Sequence, residues 1–150
     1  MASIWTRKTD LAYLLFFLLH IPIMLVVDFA PLYPDAIKPI WMDAIRQVQI
    51  DNYHDRFFSS PPAWFGAYVW MEALFHLPFS VWAIGALVRD DSKLPLGMLI
   101  FGCQTFFTTF TCIADFLSWE DYSLQEKIDL GTLYVPYLAL GKGAVPSEPI

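Results

Sequence analysis

Three long runs of apolar residues, separated by polar segments, predict helices that cross a membrane. The runs cover about residues 11–28, 64–88 and 94–119. A helix needs roughly 20 mostly apolar residues to cross the hydrocarbon core of a bilayer, so each run is long enough. Arg7 and Lys8 precede the first run, and a polar turn at residues 89–93 separates the second from the third. Since Asp28-Phe29-Ala30 is no small-x-small cleavage site, we expect the first run to be retained as a span.

Two shorter segments complete the predicted architecture. Apolar residues recur at helical spacing from Ile40 to Val48, which predicts a short amphipathic helix lying over one end of the bundle. A fourth segment, at about residues 128–140, has an apolar core that reaches only about 16 Å as a helix, half of a hydrocarbon core. The predicted fold class is therefore all-α: a four-helix transmembrane bundle over residues 1–140, with a truncated last helix and a tail at residues 141–150.

Composition agrees with a membrane protein and excludes some partners. Apolar residues make up 57% of the chain, more than a soluble domain of this size can hide. The net charge of -6 argues against a nucleic-acid partner and against polybasic docking on anionic lipid. Basic residues close to the span ends at residues 7–8 and 89–93 favour a cytosolic N-terminus.

Ionisable side chains inside the apolar runs are the candidates for chemistry. Asp28 ends the first run, Glu72 lies inside the second, and His76 follows Glu72 by four residues on the same helix face. A charge in hydrocarbon is expensive, so an intramembrane acid indicates a functional site. The topology brings Asp28 and the loop residue Asp55 to one membrane surface. Asp115 lies near the end of its span, where we expect it to be solvated.

Several of these residues also have plainer interpretations. Asp28 could be a hydrated cap at a helix end. A histidine in an apolar run, such as His20, more often makes its hydrogen bonds within the core than binds a ligand. No dense ligand cluster predicts a metal site, and no cofactor is predicted. The spacing of Tyr134 and Tyr137, one helical turn apart, would let both rings wall a pocket for a flat apolar ligand.

A series of short motifs, spread in order over nearly the whole chain, resembles a known family. The motifs are His20-Ile21-Pro22-Ile23, Asp28, Asp55, Pro61-Pro62-Ala63-Trp64-Phe65, Glu72, Leu77-Pro78-Phe79, Glu120-Asp121 and Tyr134-Val135-Pro136-Tyr137. The ordered set resembles the sigma-2 receptor family of EXPERA-domain membrane proteins, which is related to the emopamil-binding sterol isomerases. The resemblance implies a four-helix, multi-pass protein of the endoplasmic reticulum membrane, whose cavity opens sideways to lipid and binds sterols and amphiphilic amines.

The resemblance also assigns roles to individual residues. Asp28 would pair with a ligand amine, and Asp55 would support it through a hydrogen bond. Glu72 would be the deeper acid. Further ligand contacts are implied at His76, Thr109, Tyr134 and Tyr137, and supporting positions at His20, Pro22 and Trp64. His76 stands where the receptors carry a glutamine, which makes this position titratable near neutral pH.

Three functions follow as hypotheses. The first is a non-enzymatic binder of sterols or lipid-like ligands in sterol homeostasis or trafficking. The second is a sterol double-bond isomerase, although the order Glu72 then His76 reverses the His-then-Glu order of the isomerases. The third is an interaction or chaperone-like factor for client membrane proteins, with a homodimer as a further expectation.

The family's last helix is a full span with a lysine-rich tail, so the short fourth segment suggests a truncated isoform or gene model.

Overall fold

The protein is helical throughout the part of the chain that the computed structural model describes, residues 3–143. In this range the chain forms seven α-helices, and no strand is present. The helices are α1 (Lys8–Ile23), α2 (Ile40–Tyr53), α3 (Arg56–Ser59), α4 (Ala63–Met71), α5 (Leu77–Arg89), α6 (Leu94–Leu117) and α7 (Leu124–Gly143). The all-α prediction is confirmed.

Three of the helical stretches are long and apolar enough to cross a membrane. They are Lys8–Asp28, Ala63–Arg89 and Leu94–Leu117, with 21, 27 and 24 residues. Their bounds differ from the predicted spans by only a few residues, because the bilayer thickness and the flanking polar residues fix both ends. Pro95 lies in the first turn of α6, where its missing N–H has no helical partner to lose.

The last helix begins earlier than the sequence pattern predicted. α7 starts at Leu124 rather than near residue 128 and has 20 residues. A reciprocal cap explains the start: Glu126 Oε2 accepts a hydrogen bond from the Ser123 backbone N–H at 2.8 Å, and the Glu126 N–H donates to Ser123 Oγ at 3.3 Å. α7 is not among the three apolar spans, so a fourth span stays a prediction. Residues 141–143 of the predicted tail continue the helix, and residues 144–150 lie outside the described range.

The predicted amphipathic helix in the first loop is confirmed as α2. One side, with Met42, Arg46 and Gln49, packs on the bundle, and Arg46 Nε donates to the Phe58 carbonyl oxygen at 3.1 Å. The helix ends at His54, which adopts the left-handed conformation and donates its N–H to the Ile50 carbonyl oxygen. α2 therefore lies against the same end of the bundle as the short helix α3.

Two apolar clusters hold opposite ends of the bundle together. At the end near Arg7, which we call the Arg7 end, α1, α5 and α6 contribute Phe17, Ala83, Ala86, Leu87, Leu94, Met98 and Phe101. The opposite end, which we call the Asp55 end, is held by Phe57, Cys112, Phe116 and Leu130 from α3, α6 and α7. Arg7 closes its own end by donating from Nη1 to Asp90 Oδ1 at 2.8 Å and from Nη2 to the Leu87 carbonyl oxygen at 2.6 Å.

Two π-helical turns interrupt the membrane-spanning helices. The first, Met24–Asp28, continues α1, and the second, Glu72–His76, joins α4 to α5. A proline lies two residues from each: Pro22 before the first turn and Pro78 after the second. Because proline has no N–H, it breaks the regular i to i−4 hydrogen bonds and favours such a local rearrangement. π turns occur frequently at functional sites.

Candidate functional site

A cavity of about 390 Å³ lies between the helices and extends as far as Phe57 at the Asp55 end. Its volume falls in the range of small-molecule sites, about 300–1,000 Å³. Most of its wall is apolar and aromatic. Its polar lining residues are His20, Asp28, Gln49, Tyr68, Glu72, His76, Thr105, Thr108, Thr109, Tyr134 and Tyr137. The cavity therefore combines a wall that is mostly apolar by surface area with polar side chains from eleven of its 21 lining residues.

Both predicted membrane acids line this cavity. Asp28 is the last residue of the first π turn, and Glu72 is the first residue of the second. Both side chains are half-buried, and neither accepts a hydrogen bond from any other residue in the described range. A carboxylate in an apolar environment is unfavourable unless it is paired. The two acids are thus available to bind a group that enters the cavity.

Asp55 differs from its predicted role. It is 0% exposed but does not line the cavity, and no hydrogen bond joins it to Asp28. Its Oδ1 accepts from the Phe57 N–H at 2.9 Å, and its Oδ2 accepts from the Tyr134 hydroxyl at 2.8 Å. Burial raises the pKa of the Asp55 carboxyl, and the hydrogen bonds from Tyr134 and Phe57 oppose that rise. Asp55 therefore begins α3 and fixes Tyr134, which does line the cavity.

Most of the other predicted residues also meet in the cavity. His20, His76, Thr109, Tyr134 and Tyr137 all line it. The ring of Tyr137 lies 5.9 Å from that of His20, centroid to centroid. Four elements of the chain thus bring their predicted side chains to one space: α1, the second π turn, α6 and α7.

Three singled-out residues lie outside the cavity. Pro22 is exposed on α1, and Trp64 packs edge-on against Phe57 with their ring centroids 5.6 Å apart. Asp115 is half-buried and accepts a hydrogen bond from Trp119 Nε1 at 3.2 Å. Trp64 and Asp115 thus pack at the Asp55 end rather than in the cavity wall.

Comparison with known proteins identifies the family. The model of EXPERA (EXPanded EBP superfamily) matches residues 41–141, which is most of the chain. The chain belongs to the EXPERA family. Sigma intracellular receptor 2 of Homo sapiens is 29% identical over 139 residues, covering 84% of this chain and 78% of the receptor. Efficient mitochondria targeting-associated protein 19 of Saccharomyces cerevisiae is 25% identical over 144 residues, covering 83% and 87%.

The sigma receptor similarity extends to amphibians. Sigma intracellular receptor 2 of Xenopus tropicalis is 23% identical over 145 residues, covering 91% of this chain and 85% of the receptor. Together with the three apolar helices, these similarities make this EXPERA chain a membrane protein of the EBP superfamily.

Several polar residues of the cavity were not predicted from the sequence. Thr105, Thr108 and Cys112 recur on α6 at helical spacing with Thr109, which was predicted, and the four form one stripe along the cavity wall. This spacing is visible in the sequence and could have been used. Gln49 of α2 also lines the cavity. No sequence signal could have found it, because it depends on how α2 lies over the bundle.

The arrangement suits a ligand with a cationic group and an apolar body. The acids can accept charge-assisted hydrogen bonds, and the faces of Phe57, Phe65, Tyr134 and Tyr137 offer apolar contact. Within residues 3–143, no group of three or more His, Cys, Asp or Glu side chains could hold a metal ion. The polar groups instead come from several elements of the chain, among them α1, the two π turns, α6 and α7.

Proposed function

We propose that this protein binds sterols and amphiphilic amines in its intramembrane acidic cavity and acts in sterol homeostasis or trafficking. One observation carries the proposal: Asp28 and Glu72, both in membrane-spanning helices, line a largely apolar cavity without a hydrogen-bond donor from the described residues. An ammonium group would supply that donor, and the cavity wall would take the apolar body. The similarity to sigma intracellular receptor 2 supports a receptor-like role without catalysis.

The proposed contact between Asp28 and the ammonium group of a ligand, which we call the clamp, is tested with a matched pair of ligands. We expect tritiated N-phenylbutylpiperidine, a cation, to bind more tightly than its uncharged N-acyl counterpart. Asp28→Asn should weaken the cation at least about tenfold, since a hydrogen bond to a charged group is worth about 1.5–3 kcal/mol, and should leave the N-acyl compound unchanged. The measurement is saturation binding in membranes, with Glu72→Gln measured alongside.

Asp115→Asn is the matched control, because Asp115 lies on α6 but outside the cavity. It should bind the cation as the wild type does. Equal affinity of wild type and Asp28→Asn for the cation would exclude the clamp. So would a wild type that does not distinguish the cation from its N-acyl counterpart.

A second candidate function is a sterol double-bond isomerase. Glu72 and His76 both line the cavity, so a proton donor and a stabilising group border the same space. Their order along the helix is the reverse of the isomerase pattern, which makes binding the better-supported proposal. Accumulation of the isomerised sterol in isomerase-deficient cells that express this chain, but not its Glu72→Gln variant, would establish the enzyme instead.

The cellular setting is part of the same proposal. We propose that the protein lies in the endoplasmic reticulum membrane, as the family resemblance implies. Basic residues at positions 7–8, 89 and 93 lie close to the span ends at the Arg7 end, which favours a cytosolic N-terminus. Client membrane proteins are proposed as additional partners. Self-association into a homodimer remains a prediction.

A further inference from the structure

Two histidines form the inner end of the cavity, on the side away from Asp55. His20 of α1 is 6% exposed and His76 of the second π turn is 3% exposed, with ring centroids 6.5 Å apart. Aromatic neighbours hold both rings: Phe16 stacks on His20 at 4.9 Å, and the Phe101 ring lies 4.6 Å from His76. The two imidazoles are therefore fixed in place before any ligand enters.

Polar atoms at this inner end lack partners. Among the described residues, neither imidazole takes part in a hydrogen bond, and His20 Nδ1, His76 Nε2 and Thr105 Oγ1 are enclosed without one. A buried polar group without a hydrogen-bond partner is unfavourable, so three such groups on residues that line one cavity call for an explanation. All three residues also line the cavity, so a polar atom of a bound ligand could supply the missing partner.

We propose that His20, His76 and Thr105 form a hydroxyl-binding subsite, distinct in position from the acids at Asp28 and Glu72. This inference rests on the proposed function of the cavity and specifies its ligand class. A hydroxyl group can donate and accept at once, and a neutral imidazole offers one nitrogen of each kind. An oxygen bonded to a ring nitrogen lies about 4 Å from the ring centroid, so one oxygen can reach both rings across 6.5 Å.

The spacing along the helices defines the ligand further. His20 precedes Asp28 by eight residues, which is roughly 10–12 Å along the helix. His76 follows Glu72 by four residues, so the histidines lie about one turn deeper than the second acid. The subsite therefore fits an apolar molecule with a hydroxyl about 10 Å from its cationic or outer end. A sterol hydroxyl and the hydroxyl of an amino alcohol share this chemistry.

The first test compares N-phenylbutylpiperidine with the same amine carrying a hydroxyl at the para position of its phenyl ring. In the extended form this hydroxyl lies roughly 11 Å from the nitrogen, which matches the spacing of Asp28 and His20. We expect the wild type to prefer the hydroxylated amine by about tenfold, the sum of two ordinary hydrogen bonds. His76→Phe and His20→Phe should reduce this preference to about one, and the preference is taken as a ratio of two affinities in the same variant, so that a change in affinity for the plain amine does not affect it.

Two further variants separate the hydrogen bond from general packing. His76→Gln, which keeps a polar group, should restore part of the preference that His76→Phe removes. His54→Phe is the matched control, because His54 is exposed outside the spans, and it should leave the preference unchanged.

A sterol arm identifies the source of the hydroxyl. Cholesterol and cholestene, the same hydrocarbon without the hydroxyl, compete against the tritiated plain amine. A cholesterol preference that His76→Phe abolishes supports a sterol hydroxyl, and a preference confined to the amine pair supports an amino alcohol.

The possible failures are distinguishable. A wild type that binds the plain amine but shows no preference in either pair overturns the subsite and leaves the proposed function intact. A wild type that binds none of the four compounds overturns both.

Discussion

Asp55 is fully buried although it belongs to a loop, and each of its carboxylate oxygens accepts one hydrogen bond. The donors are the Phe57 backbone N–H and the Tyr134 hydroxyl, which come from α3 and α7. One residue thus joins two elements that are far apart in sequence. Its effect on the cavity passes through Tyr134, whose ring is part of the wall.

Removing the Tyr134 hydroxyl should destabilise the protein in a pH-dependent way. Tyr134→Phe leaves a buried carboxylate with one donor fewer, so we expect a loss of about 1–3 kcal/mol at neutral pH. The pKa of Asp55 is already raised by burial, and losing this donor raises it further. When an acid has a higher pKa in the folded than in the unfolded protein, the protein loses stability as the pH rises above the unfolded-state pKa of that acid. The loss in free energy of unfolding caused by Tyr134→Phe should therefore be smallest near pH 4 and grow toward pH 7.

Thermal unfolding in detergent over this pH range measures the effect. Tyr137→Phe is the control, because its hydroxyl bonds to no described residue, and it should lose little at any pH. A Tyr134→Phe deficit that stays constant or shrinks as the pH rises would contradict the role given to Asp55.

Helix α2 presents three different faces. Met42, Gln49 and Tyr53 face the bundle, whereas Asp43, Gln47 and Asp51 form an exposed polar face. A third face is apolar and exposed, and contains Trp41, Ile45 and Val48. An exposed apolar face beside a polar face is typical of a helix lying in the membrane interface. Because Gln49 lines the cavity, this helix also covers part of the ligand site.

The interfacial position of α2 can be measured with single labels. In a Cys103→Ser background, an environment-sensitive NBD label at Ile45→Cys or Val48→Cys should emit at shorter wavelength and be quenched by spin-labelled lipid. The same label at Gln47→Cys should emit as in water and be quenched weakly. Cys103 must be replaced because it is exposed, whereas Cys112 is buried. Weak quenching and water-like emission at positions 45 and 48, equal to those at position 47, would place α2 away from the lipid.

The whole molecule is a membrane bundle whose polar groups are concentrated in one internal space. The sequence was sufficient to predict the three spans, because bilayer thickness requires long apolar runs with polar ends. Helix spacing also predicted that Glu72 and His76 share one face. That Asp28 lies in the same cavity was implied by the family resemblance, not by the pattern of residues.

Other features depend on side-chain geometry that no periodicity encodes. The first turn of α7 is polar, so the pattern of apolar residues predicts a start that is too late. The cap formed by Ser123 and Glu126 determines where the helix begins. Asp55 was expected to bond Asp28, but Phe57 and Tyr134 occupy its oxygens. The π turns depend on how the chain relaxes around Pro22 and Pro78 within the packed bundle.

The most direct test of the acidic cavity is a structure of the protein bound to N-phenylbutylpiperidine. The account predicts that the amine nitrogen lies about 3 Å from a carboxylate oxygen of Asp28, with the phenyl group extending toward His20 and His76. An amine bound outside the cavity, or an Asp28 side chain that makes no contact with it and faces the lipid, would contradict the central claim.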